Sequence, residues 1–88
     1  MTTTALPLVT VRVQLFAGYA EALGVDALEL SLEQPATVGD AVRRIRALPG
    51  GDQVPPRPLC AVNLSQVNPS APLASGDELA LLPPLAGG

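Results

Sequence analysis

The chain has 88 residues, a formal net charge of −3 and 48% hydrophobic residues, enough apolar side chain for the core of one small domain. Aromatic residues make up 2%, histidine is absent, and the basic set is five arginines with no lysine. These facts count against a basic nucleic-acid surface, a histidine-based acid–base centre and a metal site. No apolar run approaches the roughly 18 residues of a membrane span, and no charged leader precedes an apolar segment, so the expected compartment is the cytoplasm. Cys60 is the single cysteine; inside an apolar run it reads as a small core residue.

Residues 1–7 are polar or turn-like and read as a loose N-terminus. From Val9 the chain alternates cleanly: Val9, Val11, Val13 and Leu15 face one side, and Thr10, Arg12 and Gln14 face the other. Phe16 breaks the pattern and falls on the polar face at the end of this strand. Ala17–Leu23 is helix-compatible, and Gly24 is its stop. Ala27–Leu32 is a second strand, with Leu28, Leu30 and Leu32 inward, antiparallel to the first if they pair as neighbours. Pro35-Ala36 reads as a turn. Thr37 is the N-cap of the next helix, with Asp40 as its capping-box partner. Val38, Ala41, Val42, Ile45 and Leu48 share one helical face, and Arg43, Arg44 and Arg46 lie off it. Pro49-Gly50-Gly51 ends the helix. No strand leads into these glycines and no lysine follows, so they are not a phosphate loop.

Asp52–Pro58 is an irregular, proline-rich loop. Leu59-Cys60-Ala61-Val62 is a short strand, and Gln66-Val67 pairs briefly. Asn68-Pro69-Ser70 and Ser75-Gly76-Asp77 are turns. Glu78–Leu82 is the last strand, with Leu79 and Leu81 on one face and Ala80 and Leu82 on the other. The order is strand, strand, helix, strand, short strand, strand. A single main helix has to cover one face of a mixed sheet, and it also supplies the crossover that sets the first and last strands side by side and parallel. The predicted fold class is α+β, a β-grasp or ubiquitin-like roll spanning residues 1–82. Phe16 and Leu82 then meet on the sheet face away from the helix, as an apolar docking surface.

Residues 83–88 read as an extended tail. Pro83 and Pro84 have no N–H and a fixed φ, so they stop pairing and hold the chain extended. Leu85 and Ala86 follow, and then Gly87 and Gly88, the slimmest residues available. Such a tail projects from its domain and can be threaded into another protein's active site.

Three segments resemble one family. They are Val11–Gly24, Ala61-Val62-Asn63, and the ending Gly76-Asp77-Glu78-Leu79-Ala80-Leu81-Leu82-Pro83-Pro84-Leu85-Ala86-Gly87-Gly88. Over residues 9–88 the chain is similar to the MoaD family, the small sulfur-carrier subunit of molybdopterin synthase, within the MoaD/ThiS ubiquitin-like group. The resemblance implies that a MoeB-like E1 activating enzyme adenylates Gly88 with ATP and that a sulfur donor converts the adenylate to a thiocarboxylate. The tail (Pro83, Pro84, Leu85, Ala86, Gly87 and Gly88) then enters a MoaE-like large subunit and gives its sulfur to cyclic pyranopterin monophosphate. It further implies a heterotetramer, docking through Phe16 and Leu82 with Arg12 and Arg57 as rim charges, no cofactor or metal bound by this chain, and catalytic groups on the large subunit rather than here. Three rival readings are a sulfur carrier for thiamine, cysteine or tRNA thiolation, a ubiquitin-like modifier forming isopeptide bonds through Gly88, and a β-grasp interaction module with an inert tail.

Overall fold

The computed structural model describes residues 7–84. Strand β1 (Leu8–Leu15) is followed by helix α1 (Ala17–Leu23), β2 (Ala27–Glu33), β3 (Ala36–Thr37) and helix α2 (Val38–Arg46). A 3-10 turn at Gly51–Gln53 leads through the proline loop to β4 (Leu59–Val62), β5 (Ser65–Val67), β6 (Pro72–Leu73) and β7 (Glu78–Leu82). The main sheet has the order β2-β1-β7-β4-β5. β1 and β7 are parallel, and the other neighbours are antiparallel. This is the β-grasp roll expected from the order of elements.

The alternation in the sequence becomes the two faces of the sheet. Val9, Val11, Val13 and Leu15 of β1, Leu30 and Leu32 of β2, and Leu79 and Leu81 of β7 are all buried beneath α2. From the helix, Val38, Ala41, Val42 and Ile45 close the same core. A fully buried leucine or isoleucine contributes about 2 kcal/mol through apolar area removed from water. The capping box forms as expected: the Thr37 side chain accepts from the Asp40 N–H at 3.2 Å, and the Asp40 carboxylate accepts from the Thr37 N–H at 2.9 Å. Gly24 ends α1 in the left-handed region, φ 77°, and its N–H donates to the Ala20 carbonyl.

Four details differ from the sequence reading. Ala36 is not only a turn residue: Ala36–Thr37 pairs with Pro72–Leu73 as a separate two-stranded ribbon. Leu48 lies past the end of α2 and is exposed, because the helix stops at Arg46 before that position returns to the core face. Arg46 is half-buried, its Nε donating to the Val54 carbonyl at 2.8 Å. That bond pins the proline loop so that Val54 is fully buried in the core.

The two glycines after α2 serve packing. Gly50 has φ 84°, and a Cβ there would stand 2.9 Å from the carbonyl carbon of Ala22 and closer still to its oxygen. The helix–loop turn therefore presses directly against the backbone of α1, which only glycine permits.

Candidate functional site

Strand β7 is the central strand of the sheet, paired with β1 on one side and β4 on the other. Its start is fixed by a network around the Gly76-Asp77-Glu78 segment. The Asp77 carboxylate accepts from the Ala74 N–H at 2.8 Å and from Asn63 Nδ2 at 3.0 Å. Asn63 Oδ1 accepts from the Glu78 N–H at 3.0 Å, and the Asn63 N–H donates to the Glu78 carbonyl at 2.9 Å. Gly76, at φ 89°, donates its N–H to the Thr10 carbonyl at 2.9 Å, and Thr10 N–H donates to Ser75 Oγ at 3.1 Å. The Asn63 and Gly-Asp-Glu segments, separated in sequence, thus act together to fix where β7 begins and hence where it ends.

At the other end of β7, Leu82 is half-buried, Pro83 half-buried and Pro84 exposed. Proline has no N–H to continue a ladder, so pairing ends with Leu82 and the chain leaves the sheet there. Leu85, Ala86, Gly87 and Gly88, expected from the sequence to enter a partner, lie outside the described residues.

The register sets Phe16 and Leu82 at the same end of neighbouring strands. β1 and β7 pair in parallel through Leu15 and Leu81. Phe16 and Leu82 are each the next residue and, by alternation, project away from the core. Phe16 holds an extended backbone, φ −128° and ψ 151°, and is 42% exposed. Leu59 completes the row: it lies opposite Leu82 in the β4–β7 ladder and is 43% exposed. The sequence reading missed Leu59 because a four-residue apolar strand does not reveal which alternate residues face out. Behind this row, Ala80 and Ala61 pair across β7 and β4, keeping the outer face low.

The rest of that face is polar. Arg12 is in register with Glu29 on β2 and Glu78 on β7, so it sits between two acids on the solvent side. Arg57 is exposed in the loop two residues before Leu59. At the far end of the sheet, Asn63 (φ 49°) and Leu64 (φ 73°) form the β4–β5 turn, where Leu64 is 96% exposed. Gln66 is exposed beside Ala61.

Among the described residues no charged side chain is buried, and no group of three or more histidine, cysteine, aspartate or glutamate residues is placed to hold a metal ion. No described helix is long and apolar enough to cross a membrane. Two buried groups titrate. Burial pushes the Cys60 thiol up to about 11, and its Sγ donates to the Pro58 carbonyl at 3.4 Å. Burial, and then the neighbouring Cys60, raise the Tyr19 phenol above its ordinary value, and its hydroxyl has no hydrogen-bond partner among the described residues.

Residues 13–88 match the model of the ThiS family. A comparison with curated proteins gave no match. Among solved structures, the small archaeal modifier protein 1 of Haloferax volcanii is 28% identical, with a TM-score of 0.78 over 90% of this chain and 99% of that one. A putative molybdopterin converting factor, subunit 1, from Pyrococcus furiosus is 26% identical, with a TM-score of 0.76 over 88% of this chain and 99% of that one. The complex of subunits 1 and 2 of the molybdopterin-converting factor from Helicobacter pylori contains a chain of the same fold, 21% identical, with a TM-score of 0.65 over 90% of this chain and 99% of that one.

Proposed function

The chain belongs to the ThiS family of ubiquitin-like proteins, and on that premise we propose that it is the sulfur carrier of a molybdopterin synthase, loaded as a thiocarboxylate on Gly88. One observation carries the reading. The central strand, held on both edges, ends in Pro83-Pro84 immediately beside an exposed apolar row of Phe16, Leu82 and Leu59. A rigid exit next to a docking surface lets a partner bind the domain and receive the tail in one geometry. The name of the Pyrococcus relative, subunit 1 of a converting factor, supports a larger partner subunit of the MoaE type.

The chemistry suits this chain. A carboxylate is a poor acyl donor. Joined to AMP by an E1-like activating enzyme of the MoeB type, the Gly88 carbonyl gains a good leaving group. A sulfur nucleophile then attacks the carbonyl carbon and AMP departs, leaving the thiocarboxylate. Glycines at the terminus admit an enclosing active site, and Leu85 and Ala86 match an apolar tunnel. The chain itself contributes the acyl group, the docking row and the rigid exit. The groups that act on cyclic pyranopterin monophosphate belong to the large subunit.

The test is to incubate the chain with ATP, a MoeB-type enzyme and a sulfur donor, and to follow its intact mass. Replacement of one terminal oxygen by sulfur, followed by loss of that sulfur when the large subunit and cyclic pyranopterin monophosphate are added, is expected. Gly88→Ala is expected to fold normally and fail in transfer; unimpaired transfer would sink the threading model. The modifier reading is favoured by the 28% identity to the Haloferax protein. It predicts Gly88 joined to partner lysines instead, visible as conjugates in the native extract. Sulfur loading with delivery to a thiazole synthase or a thiolation enzyme would keep the carrier and move the pathway.

A further inference from the structure

The main sheet ends in β5 on one side and β2 on the other, and the two edges are not alike. β5 is three residues long. β2 runs for seven, Ala27–Glu33, without proline, glycine or lysine, and among the described residues no strand pairs with its outer side. Folded proteins ordinarily shorten, bulge or cover such an edge, because its main-chain groups are a template for another strand.

The ladder fixes which groups are open. The Gly76 N–H donates to the Thr10 carbonyl at 2.9 Å and the Arg12 N–H to the Asp77 carbonyl at 3.1 Å, so these residues of β1 turn their main-chain groups toward β7. Their neighbours turn toward β2, as Leu15 does in donating to the Asp26 carbonyl at 2.9 Å. Antiparallel strands exchange bonds at every second pair. Leu28, Leu30 and Leu32 are therefore bonded to Val13, Val11 and Val9. Ala27, Glu29, Ser31 and Glu33 point their N–H and C=O groups outward. Of these groups only the Ser31 carbonyl has a partner among the described residues, the Arg44 guanidinium at 3.4 Å.

The side chains along this edge differ in charge between its two faces. On the outer face Glu29, Ser31 and Glu33 are exposed, and neither acid has an ion-pair partner among the described residues. On the helix side Leu32 and Arg44 line an open groove between β2 and α2, beside the Arg43–Asp40 ion pair. A strand laid here sends alternate side chains to the two faces. Basic ones suit Glu29 and Glu33, and an acidic one suits Arg44. A second copy of β2 fits poorly, because it brings two more acids to the face that already holds two.

We propose that the free edge of β2 is a docking site for an extended segment of a partner protein, which adds as a sixth strand with basic side chains on the outer face and an acidic one toward α2. Main-chain bonds to Ala27, Glu29, Ser31 and Glu33 hold the segment, and the charge pattern selects it. β1 separates β2 from β7, so the added strand leaves Leu59, Leu82 and the tail exit uncovered. A partner bound here can hold the domain while the tail is engaged elsewhere. The site is independent of what Gly88 carries, so its test and that of the carrier reading fail separately.

The probe is the capped peptide Lys-Glu-Thr-Val-Lys-Val-Thr. Laid antiparallel, its first and fifth residues stand opposite Glu33 and Glu29, and its second faces α2 beside Arg44. The isotope-labelled full chain is titrated with it at neutral pH and low salt, and each amide is followed by NMR. Binding with a Kd of about 1 mM or tighter is expected. The amides of Ala27, Glu29, Ser31 and Glu33 should shift and gain protection from solvent exchange, while those of Leu28, Leu30 and Leu32 are protected from the start. The charge-reversed peptide Glu-Lys-Thr-Val-Glu-Val-Thr should bind at least about fivefold more weakly, since two cross-strand pairs turn from attraction to repulsion. Four outward amides that are already protected in the free chain would mean that the edge is occupied without a partner, and would overturn the proposal. So would an unperturbed β2 at millimolar peptide, shifts without the alternating gain in protection, or equal binding of the two peptides.

Discussion

Replacing Gly50 by alanine tests a close approach on which the α1 side of the domain depends, with Gly24→Ala as its internal reference. Both glycines have left-handed backbones, φ 84° and φ 77°. At Gly24 nothing lies within 4 Å of a new Cβ. Alanine there costs only the left-handed penalty, about 1–2 kcal/mol. At Gly50 the same penalty applies, and the Cβ also meets the Ala22 carbonyl, whose carbon would be 2.9 Å away. The obstacle is helix backbone, which cannot swing aside as a side chain would. Overpacking of this kind adds about 1–3 kcal/mol, so the sum is about 2–5 kcal/mol. A domain of this size has about 4–13 kcal/mol in total. Urea unfolding followed by circular dichroism should show Gly24→Ala as a modest shift in midpoint, and Gly50→Ala as a loss at least about 1 kcal/mol larger. Equal losses within about 0.5 kcal/mol would refute the close-approach reasoning and leave the backbone angle as the whole cost.

Leu59→Asp is expected to leave the melting temperature nearly unchanged, because the residue is 43% exposed, and to weaken binding of the large subunit by about tenfold or more in calorimetry; undiminished affinity would remove Leu59 from the docking row. Cys60 should resist iodoacetamide in the native chain: with its thiol raised from an ordinary 9.0 to about 11, its thiolate fraction at pH 8 falls about a hundredfold. Rapid native labelling would mean that β4 opens. Asp40 is held below the usual carboxylate range, first by the Thr37 N–H and also by the Thr37 hydroxyl and Arg43. Its folded pKa lies below its unfolded one, so its contribution is present above about pH 4 and is lost as pH falls through the lower folded value. Asp40→Asn should flatten the acid limb of the stability–pH profile, and an unchanged limb would assign that limb to other carboxylates.

Most of the frame was legible because its signals are local. The two-residue alternation in β1, β2 and β7, the Thr37–Asp40 box and the Gly24 stop are each decided by neighbours a few residues apart, and the structure has all of them. What was missed depends on distant partners. The ribbon of β3 and β6 is two residues wide and exists only because Ala36 meets Leu73. Val54 sits in a proline loop with no period and becomes core through the Arg46 bond. Leu59 acquires its outward role only from its register with Leu82. Of the candidate site, the parallel pairing of the first and last strands, which sets Phe16 and Leu82 one residue beyond the Leu15–Leu81 pair, was legible from the order of elements. Pro83 and Pro84 were legible as the end of pairing.

The parallel pairing of β1 and β7 has a mechanical consequence. The chain enters β1 at Leu8 and leaves β7 at Leu82, at opposite ends of two strands running the same way. Tension applied between those points slides one strand along the other. The bonds from Arg12–Glu78 to Leu15–Leu81 then share the load at once, rather than parting one by one as in a hairpin peeled from its open end. β4 bears the same load from the other side. A machine that pulls the tail while the Leu8 end is held would therefore meet its greatest resistance at the first step.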